Sequence, residues 1–301
     1  MSGIVVAIGG NAISNPASLG DPRSQRANIR KVAREIADLY LKGEKIAVTH
    51  GNGPQVGREL QRNEIAAKLV PELPLYYLTA ETESVIGSMV SIALSEELIL
   101  MGKRPEICTV ISHVIVENSK NPQMKPIGPL LSQAELESEL SRGSFRYIKK
   151  GPKYRRIVPS PKPLRILESD MIKSLYGKGI VIAGGGGGVP MRMKGGMYSG
   201  VDAVIDKDLT SSILARDIAA QKLVILTDTD YLYSTNSRKA IKSVSIRSLE
   251  KMMGDLEEGT IRPKVQACID FIKGGGRAAY IGNLYKLSDI LAERSGTKIV
   301  K

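Results

Sequence analysis

The chain carries no tryptophan, only two phenylalanines and an aromatic fraction of 4%. Single-strand and RNA-binding modules stack bases on aromatic rings, so this scarcity argues against nucleic acid as the partner. Two histidines and two cysteines form no metal-ligand spacing and no disulfide framework. Cys108 and Cys268 both sit in apolar surroundings and are expected as buried free thiols. No apolar run is long enough to cross a bilayer. Met1-Ser2-Gly3 leads straight into a strand-like run with no secretory signal, so a cytoplasmic protein is expected. The Gly-x-x-x-x-Gly-Lys-Ser/Thr loop is absent, and so are the His-Arg-Asp and Asp-Phe-Gly signatures. Gly184-x-Gly186-x-x-Val189 is a poor dinucleotide fingerprint, because it lies late in the chain and is followed by a cluster of acids rather than one.

What the chain has in plenty is glycine at the ends of apolar runs. Ile4 to Ile8 stops at Gly9-Gly10-Asn11. Lys45 to Thr49 stops at His50-Gly51-Asn52-Gly53-Pro54. Ile180 to Ala183 stops at Gly184 through Gly188. Glycine permits positive φ and close approach to a ligand, and loops at the carboxyl ends of sheet strands are where open α/β folds bind. Backbone N–H groups in such loops, with a helix starting next, favour anions. Three such loops point to a ligand with several phosphates.

The net charge is +12 over 301 residues, which favours anionic partners. The excess is concentrated between Ser141 and Leu167, where Arg142, Arg146, Lys149, Lys150, Lys153, Arg155, Arg156, Lys162 and Arg165 occur without one acid. This run reads either as a solvated basic loop or as a surface for an anionic substrate.

Strand and helix patterns alternate, which predicts a mainly parallel sheet covered on both faces. The periodicity predicts helices over 23–41, 54–69, 83–101 and 263–273, and strands over 106–111 with a continuation at 114–116, 222–227 and 278–281. Residues 117–163, rich in proline, lysine and turn formers, read as an excursion from the main sheet with one short helix near 132–140. No internal repeat is present.

Charged groups cluster at helix starts. Val204-Ile205-Asp206-Lys207-Asp208 sets two carboxylates around one lysine, able to orient the ammonium, hold a metal, or simply cap a helix. Arg262-Pro263-Lys264 puts a lysine in a first helical turn, which the macrodipole disfavours unless an anion sits there. Lys125 is held in Met124-Lys125-Pro126-Ile127-Gly128-Pro129.

Together these pieces resemble carbamate kinase of the amino acid kinase superfamily. The resemblance rests on Ile8-Gly9-Gly10-Asn11-Ala12, on Thr49 to Gly57, on Lys125 to Pro129 and on Val158-Pro159-Ser160-Pro161. It extends through Gly184 to Pro190, Gly200 to Asp208, Ile225-Leu226-Thr227-Asp228 and Pro263-Lys264. The pieces stand in the family's order and span nearly the whole chain.

The resemblance implies a three-layer αβα sandwich with a mostly parallel central sheet and a small protruding lid at 117–163. It implies one domain with an acceptor lobe over 1–178 and a nucleotide lobe over 179–301. The implied reaction is ATP plus carbamate giving ADP plus carbamoyl phosphate, with Mg²⁺, in a homodimer. Gly9, Gly10, Asn11, Gly51, Asn52 and Gly53 would hold the phosphoryl group and carbamate through backbone amides. Lys125, Lys207 and Lys264 would neutralise charge, with Asp206 and Asp208 orienting Lys207. Gly184, Gly185 and Gly186 would border the nucleotide phosphates, and Thr227, Asp228 and Tyr233 the base and ribose. No residue is assigned as a metal ligand. Another small acid or phosphonate as acceptor, or a non-catalytic anion or nucleic-acid binder on the same scaffold, are the alternative readings.

Two stretches depart from the family pattern. Thr82-Glu83-Ser84-Val85-Ile86-Gly87 stands where the family usually reads Thr-Gln-Gly ahead of Ile-Gly, and Ser88-Met89 where an aromatic is usual. Lys149-Lys150-Gly151-Pro152-Lys153-Tyr154 replaces an acidic pair followed by Gly-Arg-Gly-Trp.

Overall fold

The computed structural model describes residues 3–13, 21–141, 143, 145–234, 239–256 and 261–301. Arg142, the first member of the basic run, lies outside the described residues. The chain begins β1 (Gly3–Ile8), α1 (Gly10–Ile13), α2 (Pro22–Leu41), β2 (Lys45–His50), α3 (Gly53–Ala66), α4 (Leu75–Leu100), β3 (Ile107–Thr109) and β4 (His113–Val116). It continues β5 (Gln123–Leu131), α5 (Gln133–Leu140), β6 (Arg146–Lys150), β7 (Lys153–Ser160), β8 (Pro163–Ile166), α6 (Ser169–Leu175), β9 (Ile180–Ile182), β10 (Val189–Lys194) and β11 (Met197–Gly200). It ends α7 (Lys207–Asp217), β12 (Lys222–Thr227), β13 (Leu232–Tyr233), β14 (Ala240–Ile241), β15 (Ser243–Ser245), α8 (Ile246–Met252), α9 (Ile261–Lys273), β16 (Ala278–Asn283), α10 (Leu287–Leu291) and β17 (Thr297–Val300).

Eight strands form the central sheet in the order β15-β17-β16-β12-β1-β2-β9-β3. All neighbours are parallel except β16 and β17. The near-continuous apolar runs follow from burial on both faces. In β1 every residue is buried, and its side chains alternate between the two layers. Ile4, Val6 and Ile8 join Ile29, Ile36, Ile86 and Leu94 from α2 and α4. Val5 and Ala7 join Ile213, Leu214, Val265 and Phe271 from α7 and α9. Each fully buried branched aliphatic contributes about 1.5–3 kcal/mol, which makes β1 the keel of both cores.

Local signals place the helix ends. Asp21 caps α2 by accepting the Ser24 N–H at 2.9 Å, with Pro22 at the first helical position, and Gly43 at φ 86° follows its end. Ser132 and Glu135 form a reciprocal capping box on α5, so the helix expected near 132–140 is present.

The structure differs from the sequence reading in several places. The strand expected to continue from 106 through 116 breaks at Val110–Ser112: β3 stays in the central sheet, while β4 enters a separate sheet ordered β11-β10-β4-β8. α4 begins eight residues earlier than expected, since Leu75, Leu78, Thr79 and Thr82 already lie on its buried face. The excursion is a built three-stranded antiparallel sheet, β5-β7-β6, carrying α5. Cys268 is buried, whereas Cys108 is only half-buried. A division at residue 179 cuts across the strand order, because β9 lies between β2 and β3 and β10 pairs with β4.

Candidate active site

The carboxyl ends of β12, β1, β2 and β9 stand side by side. Ile8 is level with His50 and Leu226, and Val48 with Ile182. The loops leaving β1 and β2 touch through their backbones. A Cβ on Gly51 would lie 2.6 Å from the Gly10 nitrogen, an approach no other residue permits.

The amides of these loops divide into two groups. Gly9 donates to Leu226 O at 3.1 Å and Gly51 to Ile8 O at 2.9 Å. Those two N–H groups extend the strand ladder and are not available to a ligand, which corrects the expectation for both residues. The N–H groups of Gly10, Asn52 and Gly53 have no acceptor among the described residues, and Asn11 follows Gly10 in the same helical turn. Asn52 occupies the N-cap of α3 but makes no capping bond. Its Nδ2 donates instead to Thr82 Oγ1 at 2.9 Å. The first turn of α3 therefore keeps its open N–H groups and positive dipole end for an anion.

Facing these loops is a chain of alternating charge. Asp206 is the N-cap of α7 and accepts the Asp208 N–H at 2.9 Å; the alternative in which Asp208 caps the helix is not what forms. Lys125 reaches from β5 to Asp206 at 2.8 Å. Asp208 is paired with Lys207 on one oxygen and with Lys264, from the first turn of α9, on the other at 2.8 Å. The Lys207 stem lies against the β2 loop, 3.5 Å from where a Gly51 Cβ would be. Lys207 and Asp208 are almost wholly buried, at 7% and 4% side-chain exposure, so their charges are weakly screened and strongly coupled.

Burial opposes the charge on Asp208, but the Lys207 and Lys264 ammonium groups outweigh it and hold the carboxyl well below the usual carboxylate range. Burial is also the largest influence on Lys207 and, with the nearby Lys264 charge, lowers it against the pull of Asp208. For Lys264 burial is outweighed by Asp208 and Asp206, and its ammonium is stabilised.

At the end of β12, Thr227 is buried and donates to Asp228 at 3.0 Å, while Asp228 is exposed and its charge reaches Lys264. Tyr233 lies exposed on the β13–β14 ribbon. The structure does not bring Gly184–Gly186 to Thr227 and Asp228, because β1 and β2 stand between. Gly184 donates to Ser112 Oγ at 2.8 Å and Gly185 to Glu83 Oε1 at 2.9 Å. A Cβ on Gly186 would lie 2.2 Å from Asn52 Nδ2. The loop after β9 is a buried support for the β2 loop and stands apart from Thr227 and Asp228, so the expectation that these three glycines share one site with those residues is corrected.

Sequence reasoning gave no site role to Thr82, Glu83, Ser112 and His50. Burial pushes the Glu83 carboxyl up to about 8. Burial likewise lowers His50 to about 4 against weaker pulls from the Gly51 and Glu83 backbone, and among the described residues neither ring nitrogen makes a hydrogen bond of good geometry. The signal for Thr82 and Glu83 was present: both fall on the stripe that also carries Leu78, Thr79, Ile86 and Val90, and polar residues on such a stripe need buried partners.

The model of the amino acid kinase family matches residues 2–283. The chain is 37% identical to the carbamate kinase of Pyrococcus horikoshii over 98% of both chains. It is 38% identical to that of Halobacterium salinarum over 100% of this chain and 99% of the other. The structure of Giardia lamblia carbamate kinase bound to citric acid superposes with a TM-score of 0.94 at 32% identity, covering 100% of this chain and 98% of that one. The same Giardia enzyme bound to AMP-PNP gives 0.88 at 32% identity over the same shares of the two chains. The chain belongs to the amino acid kinase family and, within it, to the carbamate kinases.

Proposed function

We propose that this protein catalyses reversible phosphoryl transfer between ATP and carbamate, giving ADP and carbamoyl phosphate. The observation that carries the reading is the convergence of Lys125, Lys207 and Lys264, tied through Asp206 and Asp208, on the touching loops of β1 and β2. Phosphoryl transfer asks mainly for positioning and charge neutralisation. A carbamate oxygen bonds to the γ-phosphorus while the bond to the ADP oxygen breaks. Carbamate is already an anionic nucleophile, so no general base is needed.

The roles divide by element. The amides of Gly10, Asn11, Asn52 and Gly53 receive the phosphoryl group and the acceptor. Lys207 and Lys264 neutralise the equatorial oxygens, and Lys125 closes from the lid. Asp206 and Asp208 hold the ammonium groups apart until phosphate takes over their charge. The nucleotide lies toward β12, near Thr227, Asp228 and Tyr233. Acceptor on the β2 side and nucleotide on the β12 side is the sense in which the chain has two lobes.

The donor set does not fit a resident metal. No cluster of three His, Cys, Asp or Glu side chains occurs among the described residues, and Asp206 and Asp208 are already committed to lysines. Magnesium enters in this reading as part of the nucleotide substrate.

A homodimer is supported by the apolar stripe Val85, Ile92 and Ile99, exposed at seven-residue steps along α4. A cytoplasmic location accords with free thiols; no helix among the described residues is long and apolar enough to cross a membrane. The test is ATP formation from ADP and carbamoyl phosphate, run beside acetyl phosphate and a phosphonate. Turnover confined to carbamoyl phosphate supports the reading, and no turnover with it refutes the reading.

A further inference from the structure

Thr82 and Glu83 are adjacent on α4, yet they hold different glycine loops. Thr82 Oγ1 accepts from Asn52 in the β2 loop. Glu83 Oε1 accepts from Gly185 in the β9 loop, and both its oxygens lie 3.3 Å from the Ser112 N–H. The β9 loop owes its path to glycine, which is conformationally free and holds no geometry by itself. Gly184, Gly186, Gly187 and Gly188 all sit at positive φ, so the loop is fixed by the groups that it bonds to and packs against. Its Gly186 bears directly on the Asn52 side chain, and a Cβ on Gly185 would lie 2.5 Å from His50 Nε2 and 2.8 Å from Glu83 Cγ. One buried carboxyl group thus anchors the floor on which Asn52 and the open end of α3 rest.

We propose that Glu83 is a positioning residue for the acceptor: it fixes the β9 loop against Asn52 and so sets the geometry with which the β2 loop receives the acceptor anion. The inference rests on carbamoyl phosphate being the substrate of this site. Glu83 touches neither substrate nor the lysines. Its effect falls on the acceptor and spares the nucleotide, which lies two strands away toward β12.

The proposal carries a pH dependence. Glu83 is neutral at pH 7, and its ionisation near 8 puts an uncompensated negative charge behind the acceptor loop. The ionisable groups bearing on it are Glu168, ahead of α6, whose charge opposes ionisation, and His50 on β2, kept neutral and facing Lys207 of α7. Glu168 is itself paired with His113 of β4 at 2.8 Å. The charges that α2 brings to α4, Arg26 and Arg30, are taken by Glu96 and Glu97 near its far end, and on α3 Arg62 pairs with Glu59. No described cation pairs with Glu83.

The experiment compares wild type, Glu83→Ala and Glu83→Gln in the ATP-forming direction, with ADP binding measured by calorimetry on the same preparations. Glu83→Ala should raise KM for carbamoyl phosphate about tenfold, the worth of one buried hydrogen-bonded anchor, while ADP affinity changes less than twofold. Glu83→Gln keeps an oxygen acceptor and should restore most of that loss. Between pH 7 and 9 the wild-type KM for carbamoyl phosphate should rise, and the Gln variant should not share the rise. An Ala variant whose KM is unmoved, or whose ADP affinity falls equally, overturns the proposal. If the Ala variant does not fold, the Gln variant decides alone: a pH profile identical to wild type overturns it. Wild-type protein inactive with carbamoyl phosphate overturns the proposed reaction and this inference together, whereas an active wild type with unaffected variants overturns this inference only.

Discussion

Asp208 accepts from two lysines while nearly sealed from water, and that arrangement decides what each substitution does. Lys207→Ala and Lys264→Ala each leave Asp208 one cationic partner, so the fold survives while the developing charge loses a donor. A fall in kcat of about 10²–10³ is expected for each, measured by steady-state kinetics, with folding checked by circular dichroism; near wild-type turnover would remove that lysine from the phosphoryl group. Asp208→Asn is different in kind, since it leaves two ammonium groups facing each other and should cost about 3–5 kcal/mol in denaturant unfolding. A second residue-scale prediction concerns pH. Glu83 goes from 4.5 in the unfolded chain to about 8, so the folded state binds more protons than the unfolded one between those values, and stability falls as pH rises through them. His50 goes from 6.5 to about 4, so the unfolded state binds more protons there, and stability rises with pH through that window. The two slopes oppose each other between 4.5 and 6.5 and leave Glu83 alone above it. Stability should therefore decline from pH 6.5 to 8, and Glu83→Gln should abolish the decline; a midpoint in urea that falls equally in both proteins would remove Glu83 as its source. The lysines were legible in the sequence because each breaks a local rule or sits in a motif. Glu83 appeared only as a departure from a family pattern, since its role depends on a loop a hundred residues away.

Among the elements, the lid sheet shows where pattern reading stopped. Its strands β5 and β7 carry prolines and β6 and β7 are basic, and a basic run without acids looks the same whether solvated or built. The structure gives two of its arginines, Arg155 and Arg156, structural work. Arg155 donates to Gly128 O at 3.1 Å, and Arg156 pairs with Glu64 of α3 at 2.5 Å while its guanidinium lies 3.6 Å from the Phe145 ring centre. The root of the lid is a backbone contact, since a Cβ on Gly57 of α3 would lie 2.1 Å from Gly128 Cα. Alanine is a better helix former than glycine by about 1 kcal/mol. Gly57→Ala should nonetheless lower the melting temperature, because the methyl group has no room unless the lid shifts. The same shift draws Lys125 off Asp206, so kcat should fall with it; a variant that gains stability and keeps its turnover would show that the lid is not seated there. Lys125→Ala should lower turnover and leave ADP binding by calorimetry nearly unchanged, because in the proposed reaction Lys125, which reaches Asp206 from β5, serves the acceptor side.

At the scale of the whole molecule, the sheet order explains why the glycine loops could be read from the sequence and their division of labour could not. Each apolar run ending in glycine names a loop, but only the order β12-β1-β2-β9 says that the third loop backs the second and stands away from β12. Charge has a similar two-level reading. Of the +12 net charge, the lid contributes a share that the fold divides: Arg155 and Arg156 are tied down, while Lys149, Lys150 and Lys153 stand exposed at the β6–β7 turn. None of these lysines forms an ion pair among the described residues, though the charge of Lys153 is felt by Glu135, and they project from the sheet that carries Lys125. Exposed charges act over about 8–10 Å at moderate ionic strength, so these lysines would draw an anion passing the β6–β7 turn before it reaches the buried lysines. The expected outcome is a kcat/KM for carbamoyl phosphate that falls with added salt, as steered association does. Reversing the pair, Lys149→Glu with Lys150→Glu, should flatten that dependence while leaving kcat at saturating substrate unchanged, since neither side chain belongs to the lysine centre. Stopped-flow or initial-rate measurements across a salt series distinguish the cases: parallel salt responses in the double variant and the wild type would leave these lysines as solvated charge, with the approach of substrate governed by the buried centre alone.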